Sequence, residues 1–267
     1  MKPIVKWLGG KSQSLDIIKE MMPPTYTRYY EPFLGGGALL LDLAPTEAYV
    51  NDINSELINM YVQVREDVEA VIKELSMLDY RHSVWPDQAE YYYAVRFGFN
   101  HDLGQKTAKQ AARFIYLNKH CFNGLYRVNR KGEFNVPFNG KKTGSSFDAE
   151  HLREMSKQIH DVLFMNADFE DCVYTADIGS FIFIDPPYDE SFTDYTGNGF
   201  VKTEQARVAS MFKKLSDKGC YCMLTNHDTP LIRELYKDYN IKVIDVRRSI
   251  NRNGNDRKGK EVIITNY

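Results

Sequence analysis

The stretch FIFIDPPYDE presents an acid, two prolines and a tyrosine directly after four uncharged residues. Phe181–Ile184 does not alternate between apolar and polar residues, which is typical of a strand covered on both faces in a parallel sheet. Pro186 and Pro187 lack the N–H that a central strand donates, so this strand is predicted to end at Asp185. A carboxylate that can accept hydrogen bonds therefore lies at a strand's carboxyl end, where ligands of open α/β sheets bind. An ordinary strand followed by a turn is the alternative.

A second candidate site is the stretch YYEPFLGGGALLLDLA, whose three glycines separate a predicted strand from a predicted helix. Glycine permits a tight turn and lets a ligand approach the backbone closely. The next predicted strand, AYVND, ends in Asp52, at the position where α/β nucleotide sites hold ribose hydroxyls. The stretch lacks the G-x-G-x-x-G pattern and a phosphate-binding Lys-Ser/Thr pair, so it favours a nucleoside ligand without phosphates over NAD or ATP. A glycine-rich turn with a capping acid is the alternative.

The N-terminal stretch KWLGGKS also has residues suited to a ligand. Trp7 can stack on a ligand or pack in the core, and Lys11 can bind a carboxylate. A phosphate-binding Walker loop is excluded, because only Gly9 and Gly10 precede the lysine and no strand leads into the loop. An apolar plug beside a surface lysine is the alternative.

The elements that position these motifs fall into three parts. The first part, 1–53, predicts a helix near 12–22, a strand near 28–33, a helix near 36–43 and a strand near 47–51. Helical periodicity then dominates 54–147, in ELINMYVQV and AARFIYLNKH. From 148 onward strands alternate with helices again, in DVLFM, SFIFID, YCMLTN, IKVIDV and EVIITN. This order predicts an α/β fold with a doubly wound, mostly parallel sheet in 1–53 and 148–267, split by a mainly helical insertion.

Length and composition agree with a folded α/β protein. The chain has 267 residues, 43% of them hydrophobic, and a formal net charge of −2, so a nucleic-acid partner requires a local basic patch. No run of about 18 apolar residues is present, so no membrane span is predicted. The N-terminus lacks the apolar core of a signal peptide, which indicates a cytoplasmic protein. The cysteines lack zinc-site spacing, so no metal site is predicted.

Together the motifs resemble the DNA adenine methyltransferases, in the class whose cofactor motif precedes the target-recognition region, and most of all the Dam enzymes that methylate adenine in GATC. The resemblance covers nearly the whole chain. It implies a Rossmann-like, class I methyltransferase sheet, S-adenosyl-L-methionine (AdoMet) as cofactor and double-stranded DNA as partner, with a target-recognition domain in 54–147. It rests on KWLGGK (6–11), EPFLGGG (31–37), ND (51–52), NGLYR and GEFNVPF (within 123–138), DPPY (185–188), NHDT (226–229) and VRRSI (246–250).

The resemblance also implies a set of residues that contact AdoMet. Lys11 would meet the methionine carboxylate, the loop 31–37 would wrap the methionine end, and Asp52 would accept the ribose hydroxyls. Asp168 and Phe169 would contact the adenine of the cofactor. Their alternative roles are a helix cap and a core aromatic. The full cofactor set is Trp7, Gly10, Lys11, Glu31, Pro32, Phe33, Gly35, Gly37, Asp52, Asp168, Phe169 and Asp185.

The same resemblance assigns catalysis to Asp185, Pro186, Pro187 and Tyr188. The amino nitrogen of adenine is a poor nucleophile, because its lone pair is delocalised into the ring. Two acceptors held at fixed angles can bind both amine hydrogens and favour a tetrahedral nitrogen. The carboxylate is one acceptor and the Pro186 carbonyl the second, aimed by the fixed φ of the prolines. Tyr188 would stack on the base, which must leave the duplex at a cost of a few kcal/mol.

A DNA-reading element is predicted in RVNRKGEFNV, where Lys131-Gly132 between two short alternating runs indicates a hairpin. By resemblance, Arg127 would read the outer G·C pair in a bidentate way. The other expected contacts are Leu125 and Pro137 on the thymine, Phe122 and Asn123 in the stack near the vacated adenine, and Lys6 on the guanine before the target. A solvated hairpin with core aromatics is the alternative.

One departure from the family lies just after NVPF. Relatives often have Gly-Arg-Tyr there, whereas this chain has Asn139-Gly140-Lys141. Lys141 or Lys142 would replace a phosphate-binding arginine as a less directional charge.

Several polar stretches near the C-terminal strands permit two interpretations each. The loop DESFTDYTGNGF would close over the flipped base or lie on the surface, and VRRSINRNGNDRKGKE would contact phosphates or form a solvated loop. In NHDT, Asn226 and Asp228 are predicted to form a turn and a helix cap.

Three functions remain open from the sequence. The first is adenine methylation, the second is methylation of cytosine's 4-amino group or of RNA or a protein amide, and the third is a catalytically inactive DNA-binding relative. A monomer is expected, because no oligomerisation stripe is evident.

Overall fold

The strands form one sheet whose order confirms a doubly wound, mostly parallel α/β fold. The computed structural model describes residues 1–141, 144–189, 201–247 and 258–267. Within them the order is β3-β2-β1-β4-β5-β7-β6, with β7 antiparallel to both of its neighbours and the other pairs parallel. The strands are β1 Tyr29–Glu31, β2 Ala48–Asn51, β3 Leu163–Met165, β4 Phe181–Ile184, β5 Tyr221–His227, β6 Asn240–Arg247 and β7 Lys258–Thr265.

Strand β4 lies in the middle of the sheet and is buried on both faces, as its unbroken apolar run predicts. Phe181 and Phe183 belong to one apolar core, and Ile182 and Ile184 belong to a second core on the opposite face. All four side chains are buried because helices cover both faces. The strand ends where the prolines begin, so the following acid emerges at the carboxyl edge of the sheet.

The helices agree with the predicted periodicity, apart from their ends. The predicted helix near 12–22 is divided into a 3-10 turn, Lys11–Gln13, and α1, which begins at Leu15. The helices are α1 Leu15–Met21, α2 Ala38–Leu43, α3 Ser55–Glu66, α4 Val68–Val84, α5 Gln88–His101, α6 Ala108–His120, α7 Ala149–Gln158, α8 Phe169–Cys172, α9 Lys202–Asp217 and α10 Pro230–Leu235.

The helices of the segment 54–147 begin at polar caps and share a core with the sheet. Asn54, Asp67, Asp87 and Thr107 accept backbone N–H bonds at the starts of α3, α4, α5 and α6. The apolar side chains of these helices belong to the same cluster as the first face of the sheet. The segment is therefore an insertion in the chain order that packs directly on the sheet, and its independence as a domain stays a prediction.

The predicted hairpin is present as a tight turn with little strand pairing. Val128 and Phe134 form an isolated antiparallel bridge, and the N–H of Asn129 donates to the Glu133 carbonyl at 2.9 Å. The Asn129 side chain accepts from the N–H groups of Lys131 and Glu133, which closes the turn. Gly132 has φ +78°, which suits the glycine of the predicted turn.

Two stretches singled out in the sequence lie mostly outside the described residues. These are the loop after Asp189 and the basic stretch after Arg247. Their predicted roles stay predictions. No helix in the described part of the chain has the length and apolar character needed to cross a membrane.

Candidate active site

The carboxyl edge of the sheet brings the predicted acids together. β1 ends in Glu31, Asp52 follows β2, and Asp185 follows β4. These strands are neighbours and parallel, so their ends open on the same side of the sheet. The N-terminal 3-10 turn adds Lys11 to this edge, and its side chain is only 6% exposed.

Asp185 is held by one ion pair and one hydroxyl. Lys11 Nζ lies 2.9 Å from Asp185 Oδ1, and Thr225 Oγ1 of β5 donates to the same oxygen at 2.6 Å. Within the described ranges no group bonds to Oδ2, which leaves that oxygen able to accept a ligand's hydrogen. The lysine also donates to the Gly9 carbonyl at 2.5 Å and lies 4.7 Å from the centre of the Tyr188 ring. The sequence suggested a cofactor carboxylate as partner for Lys11, whereas the structure pairs it with the acid of the candidate catalytic motif.

Glu31 is an acid whose surroundings favour its neutral form. Its side chain is 3% exposed and accepts a hydrogen bond from the Tyr29 hydroxyl at 2.8 Å. Burial raises the pKa of the Glu31 carboxyl to about 8, and the negative charge of Asp185 adds to the shift. At neutral pH this group is therefore mainly protonated, and it can donate as well as accept.

Asp52 fixes the glycine loop to the start of α3. Its two oxygens accept from the N–H groups of Gly35 and Asn54, both at 2.9 Å. Burial raises the pKa of the Asp52 carboxyl above its ordinary value, and these two hydrogen bonds oppose the shift. The carboxylate thus combines the role of a loop anchor with the ligand position that the sequence predicts.

The glycine loop forms a cradle that larger residues would fill. A Cβ on Gly35 would lie 2.7 Å from the Trp7 ring, and one on Gly37 would lie 2.9 Å from the Tyr61 hydroxyl. Both glycines have positive φ, +49° and +63°. Trp7 packs against this loop and stacks on Tyr126 with 5.5 Å between ring centroids.

The Tyr61 hydroxyl is buried beside the glycine loop. Tyr61 is completely buried, and its hydroxyl has no hydrogen bond among the described residues. An unsatisfied buried polar group is costly, so a ligand that donates to this hydroxyl or accepts from it would be favoured here. A phosphate-free nucleoside joined to a polar amino-acid tail fits this combination of backbone cradle, acids and hydroxyl.

Asp168 and Phe169 lie at the next strand end and have the structural roles named as their alternative. Asp168 caps α8 by accepting from the Glu170 N–H at 3.0 Å, and it also binds Arg207 of α9 at 2.9 Å. Phe169 is buried and stacks on Phe33, with 5.1 Å between the ring centroids. Their contact with the cofactor's adenine stays a prediction.

Tyr188 is held by a residue from the last strand. Its hydroxyl donates to Glu261 of β7 at 3.0 Å, and its ring meets His227 edge-on with 4.8 Å between centroids. Burial raises the pKa of the Tyr188 phenol far above its ordinary value, so the ring stays neutral.

In the NHDT stretch the prediction that Asp228 caps a helix is wrong. Thr229 caps α10, whereas Asp228 pairs with Arg233.

Several of the predicted DNA-reading residues lie in and next to the hairpin turn. Arg127 is exposed, and its Nε donates to Asn135 Oδ1 at 2.8 Å. Phe122, 51% exposed, donates its N–H to the Pro137 carbonyl at 2.9 Å. The neighbouring Asn123 has φ +58°.

The other members of the predicted DNA-reading set are Lys6, Leu125 and Lys141. Gly124 lies against the Lys6 side chain. Leu125 packs on the apolar core, and Lys141 is exposed. The structure therefore places Lys6 beside the turn that precedes the hairpin, and the DNA contacts of these residues stay predictions.

Comparison with known proteins decides the family. Residues 7–250 match the model of the D12 class N6 adenine-specific DNA methyltransferases. The chain belongs to this family. It is 40% identical to the type II methyltransferase M1.LlaDCHI of Lactococcus lactis subsp. cremoris, over all of this chain and 96% of that protein. It is 39% identical to the type II methyltransferase M.MjaIII of Methanocaldococcus jannaschii, over 100% and 99%. The DNA adenine methylase of Haemophilus influenzae is 35% identical, over 98% and 92%.

Membership of the D12 class gives the site its general chemistry. This methyltransferase uses AdoMet as methyl donor and DNA as substrate, on a class I methyltransferase sheet. A cofactor with an adenosine and an amino-acid tail but no phosphate agrees with the glycine cradle, the acids and the buried Tyr61 hydroxyl.

Sequence reasoning missed several polar residues that hold the site of this D12 methyltransferase. Asn51 binds the Pro32 carbonyl at 3.1 Å and pairs with both backbone groups of Ala167. The side chains of Thr225 and Glu261 orient the acid and the tyrosine of the motif. They lie within strand patterns, where no local signal separates a site residue from a buried polar one.

Proposed function

We propose that this chain is a site-specific adenine methyltransferase that moves a methyl group from AdoMet to the 6-amino group of adenine in GATC of double-stranded DNA. The target base is flipped into the pocket formed by residues 185–188. The observation that carries the proposal is the state of Asp185. One oxygen is fixed by Lys11 and Thr225, and the other has no bond within the described ranges.

The cofactor supplies an electrophilic methyl group on a sulfonium. The cradle of Gly35 and Gly37 holds its methionine end, together with the Tyr61 hydroxyl. Asp52 binds the ribose, and Phe169 with Asp168 borders the adenine. These assignments are supported by the position of the residues along one edge of the sheet and by their burial.

Asp185 Oδ2 and the Pro186 carbonyl accept the two hydrogens of the target amine. Their hydrogen bonds favour a tetrahedral nitrogen, whose lone pair then points at the methyl group. Tyr188 provides the face on which the flipped base stacks, and Glu261 holds the hydroxyl end of that side chain in place. The prolines fix φ on either side of the accepting carbonyl.

Lys11 links the cofactor site to the catalytic acid. An ammonium group has three N–H donors, and the described contacts use two of them, on Gly9 and Asp185. The third is available to the methionine carboxylate, so one lysine binds both the cofactor and the catalytic acid. Its burial makes the ion pair with Asp185 necessary, since an unpaired buried charge is very costly.

The segment 54–147 reads the DNA. Asn135 holds the Arg127 side chain, which reduces the freedom that this arginine loses when it binds the outer guanine. Lys6 meets the guanine before the target, Leu125 and Pro137 contact the thymine, and Phe122 with Asn123 fills the gap that the flipped adenine leaves. Lys141 contacts the backbone phosphates.

The experiment is transfer of labelled methyl from AdoMet to duplexes that contain or lack GATC. Wild-type protein is compared with Asp185→Ala and with Asp161→Ala, which removes a surface carboxylate that is 81% exposed. We expect label in adenine of GATC only, a loss of at least about a hundredfold in Asp185→Ala, and wild-type activity in Asp161→Ala.

Other outcomes separate the alternatives. Label in adenine at other sequences would contradict GATC specificity and keep the chemistry. Label in cytosine would show that the target base is cytosine and not adenine. No transfer despite measurable binding of AdoMet and DNA would identify an inactive DNA-binding relative.

A further inference from the structure

The Asp-Pro-Pro-Tyr segment cannot hold its own backbone in place. Pro186 and Pro187 have no N–H, so this part of the chain cannot be tied to β5 by donating to a ladder. Their rings fix φ, but the direction of each carbonyl also depends on ψ. Contacts with other elements can therefore complete the constraint that the two prolines begin.

Two buried side-chain amides make such contacts, one as a donor and one as an acceptor. Gln205, in the first turn of α9, donates from Nε2 to the Pro187 carbonyl at 2.8 Å. Asn226 of β5 accepts the Asp189 N–H on Oδ1 at 3.0 Å. The two amides also bind one another, since Asn226 Nδ2 donates to Gln205 Oε1 at 3.1 Å. Their exposed fractions are 1% and 0%.

The amide pair is itself rigid. Asn226 Oδ1 also accepts the N–H of His227 at 2.8 Å, so neither oxygen of the pair is without a donor. Asp189 is further fixed by the Thr229 hydroxyl on its carboxylate and by His227 Nδ1 on its carbonyl, both at 2.7 Å. Fully satisfied buried networks of this kind specify one conformation.

The hydrogen bonds of the network do not extend to the Pro186 carbonyl. Asp185 is pinned at one end by Thr225, and Pro187 and Asp189 are pinned at the other. Between them, the Pro186 carbonyl receives no hydrogen bond from any residue that the structure describes. A carbonyl that is held from both sides and has no described hydrogen bond is suited to accept a hydrogen from the substrate.

We propose that Gln205 and Asn226 are positioning residues for methyl transfer, acting through the Pro187 carbonyl and the Asp189 N–H to aim the Pro186 carbonyl at the target amine. The inference rests on the proposed function. Neither residue touches the substrate. Their effect is on the angle between the two acceptors, so it falls on the rate of the chemical step more than on binding.

Two variants of Gln205 separate positioning from simple packing. Gln205→Leu keeps the volume and removes both hydrogen bonds. Gln205→Glu keeps the acceptor for Asn226, and it donates to the Pro187 carbonyl only while its carboxyl is protonated. The ratio of the Gln205→Glu rate to the wild-type rate should therefore fall as the pH rises, whereas the Gln205→Leu ratio should stay constant.

The control is Gln158→Leu in α7. Gln158 also donates from Nε2 to a backbone carbonyl, that of Leu41 at 2.7 Å, far along the chain from the motif. Single-turnover rates, AdoMet affinity and DNA affinity are measured for all variants, with thermal midpoints to confirm folding. We expect Gln205→Leu to lower the rate by roughly 10- to 100-fold, with both affinities within about twofold of wild type, and Gln158→Leu to keep the wild-type rate.

The outcomes distinguish this inference from the proposed function. A wild-type protein that labels no adenine contradicts the proposed function itself. With an active wild type, rates within about twofold for both Gln205 variants, or pH profiles parallel to wild type for Gln205→Glu, would overturn the positioning role. A rate loss of equal size in Gln158→Leu would do the same.

Discussion

At the scale of single residues, two acids of the sheet edge differ because their neighbours differ. Asp185 has the Lys11 ammonium within 2.9 Å, whereas Glu31 is buried beside a phenol and another acid. A buried acid without a cation favours its neutral form. The edge therefore holds one paired carboxylate and one mainly protonated carboxyl at neutral pH.

The Glu31 carboxyl makes the stability of the free protein depend on pH. Its pKa is about 8 when folded against an ordinary value of 4.5, so the folded state retains a proton that the unfolded state has lost. Its stabilising contribution is complete below the ordinary value and is lost as the pH rises to about 8. The slope is at most about 1.4 kcal/mol per pH unit.

Glu31→Gln keeps the shape and removes this titration. Between pH 5 and 8 the unfolding free energy of wild type should fall relative to that of the variant, measured by urea unfolding at each pH. Parallel curves for the two proteins would show that Glu31 is ionised in the fold.

Substitutions of Tyr61 and Gly37 test whether the glycine loop binds AdoMet. Tyr61→Phe removes a buried hydroxyl that has no described partner, so without AdoMet it should stabilise the protein by about 1 kcal/mol. Gly37→Ala should weaken AdoMet binding at least tenfold, because its Cβ meets that hydroxyl. Titration calorimetry measures the affinity.

Gly104→Ala is the matched control for Gly37→Ala. Gly104 also has a positive φ, +83°, but no atom lies within 4 Å of its would-be Cβ. It should lose stability from backbone strain and keep AdoMet affinity. Gly37→Ala should lower the affinity less in a Tyr61→Phe background than in wild type, and an equal loss in both backgrounds would place it in the backbone strain alone.

At the scale of elements, the DNA-facing surface depends on side chains that join segments without regular pairing. Asn118 of α6 accepts from the Lys6 N–H at 2.8 Å and donates to the carbonyls of Lys6 at 2.9 Å and Gly124 at 3.1 Å. It thereby fixes the N-terminal segment at Lys6, called the strap below, beside the turn that precedes the hairpin. One asparagine sets the spacing of two predicted base contacts.

Asn118→Leu should cost about 3 kcal/mol of stability, because it leaves buried backbone groups without partners. It should also reduce discrimination between GATC and sites altered at the first two positions. Asn59→Leu is the control, since Asn59 binds the Thr107 carbonyl in the same helical segment without touching the strap. Equal loss of discrimination in both variants would contradict the spacing role.

A separate prediction concerns base recognition by the hairpin. Arg127→Ala should lower discrimination at the outer G·C pair by about 1–3 kcal/mol, and Asn135→Ala should lower it less, since it frees the arginine without removing it. Arg130→Ala, at the exposed turn, should leave that preference unchanged. Competition binding with single-base variants of the site measures each effect, and unchanged preference in Arg127→Ala would exclude Arg127 as the reader.

At the scale of the whole molecule, the helical segment and the sheet share one apolar core. Tyr61, Tyr92 and Phe114 of the segment belong to the cluster that also holds Tyr29 and Phe183 of the sheet. Domains that can fold alone usually have their own core. Shared burial therefore favours cooperative unfolding of the two parts, although the chain order shows an insertion.

The two tryptophans allow this to be measured. Trp7 lies at the cofactor edge and Trp85 at the end of α4. Trp7→Phe and Trp85→Phe each leave one reporter, and their thermal transitions should coincide with one another and with far-UV circular dichroism. AdoMet at a hundred times its Kd should raise the wild-type stability by about 2.7 kcal/mol. Separate transitions would show that 54–147 unfolds as an independent domain.

Local patterns determined much of this protein. The apolar run of β4, the prolines after it and the glycines after β1 specified a buried strand, an acid at its end and a turn that needs positive φ. Lys131-Gly132 likewise specified a turn. These features depend on neighbours in the chain, so the sequence was sufficient to predict them.

Only the tertiary structure decided which groups meet. The pairing of Lys11 with Asp185 and the Gln205–Asn226 pair join residues far apart in the chain. The Tyr61 hydroxyl is buried where no described residue bonds to it. The protonation of Glu31 depends on its burial, which no local pattern encodes. Hydrogen bonds and pKa values are set by distances of a few ångströms, and those distances exist only once the sheet and helices have packed.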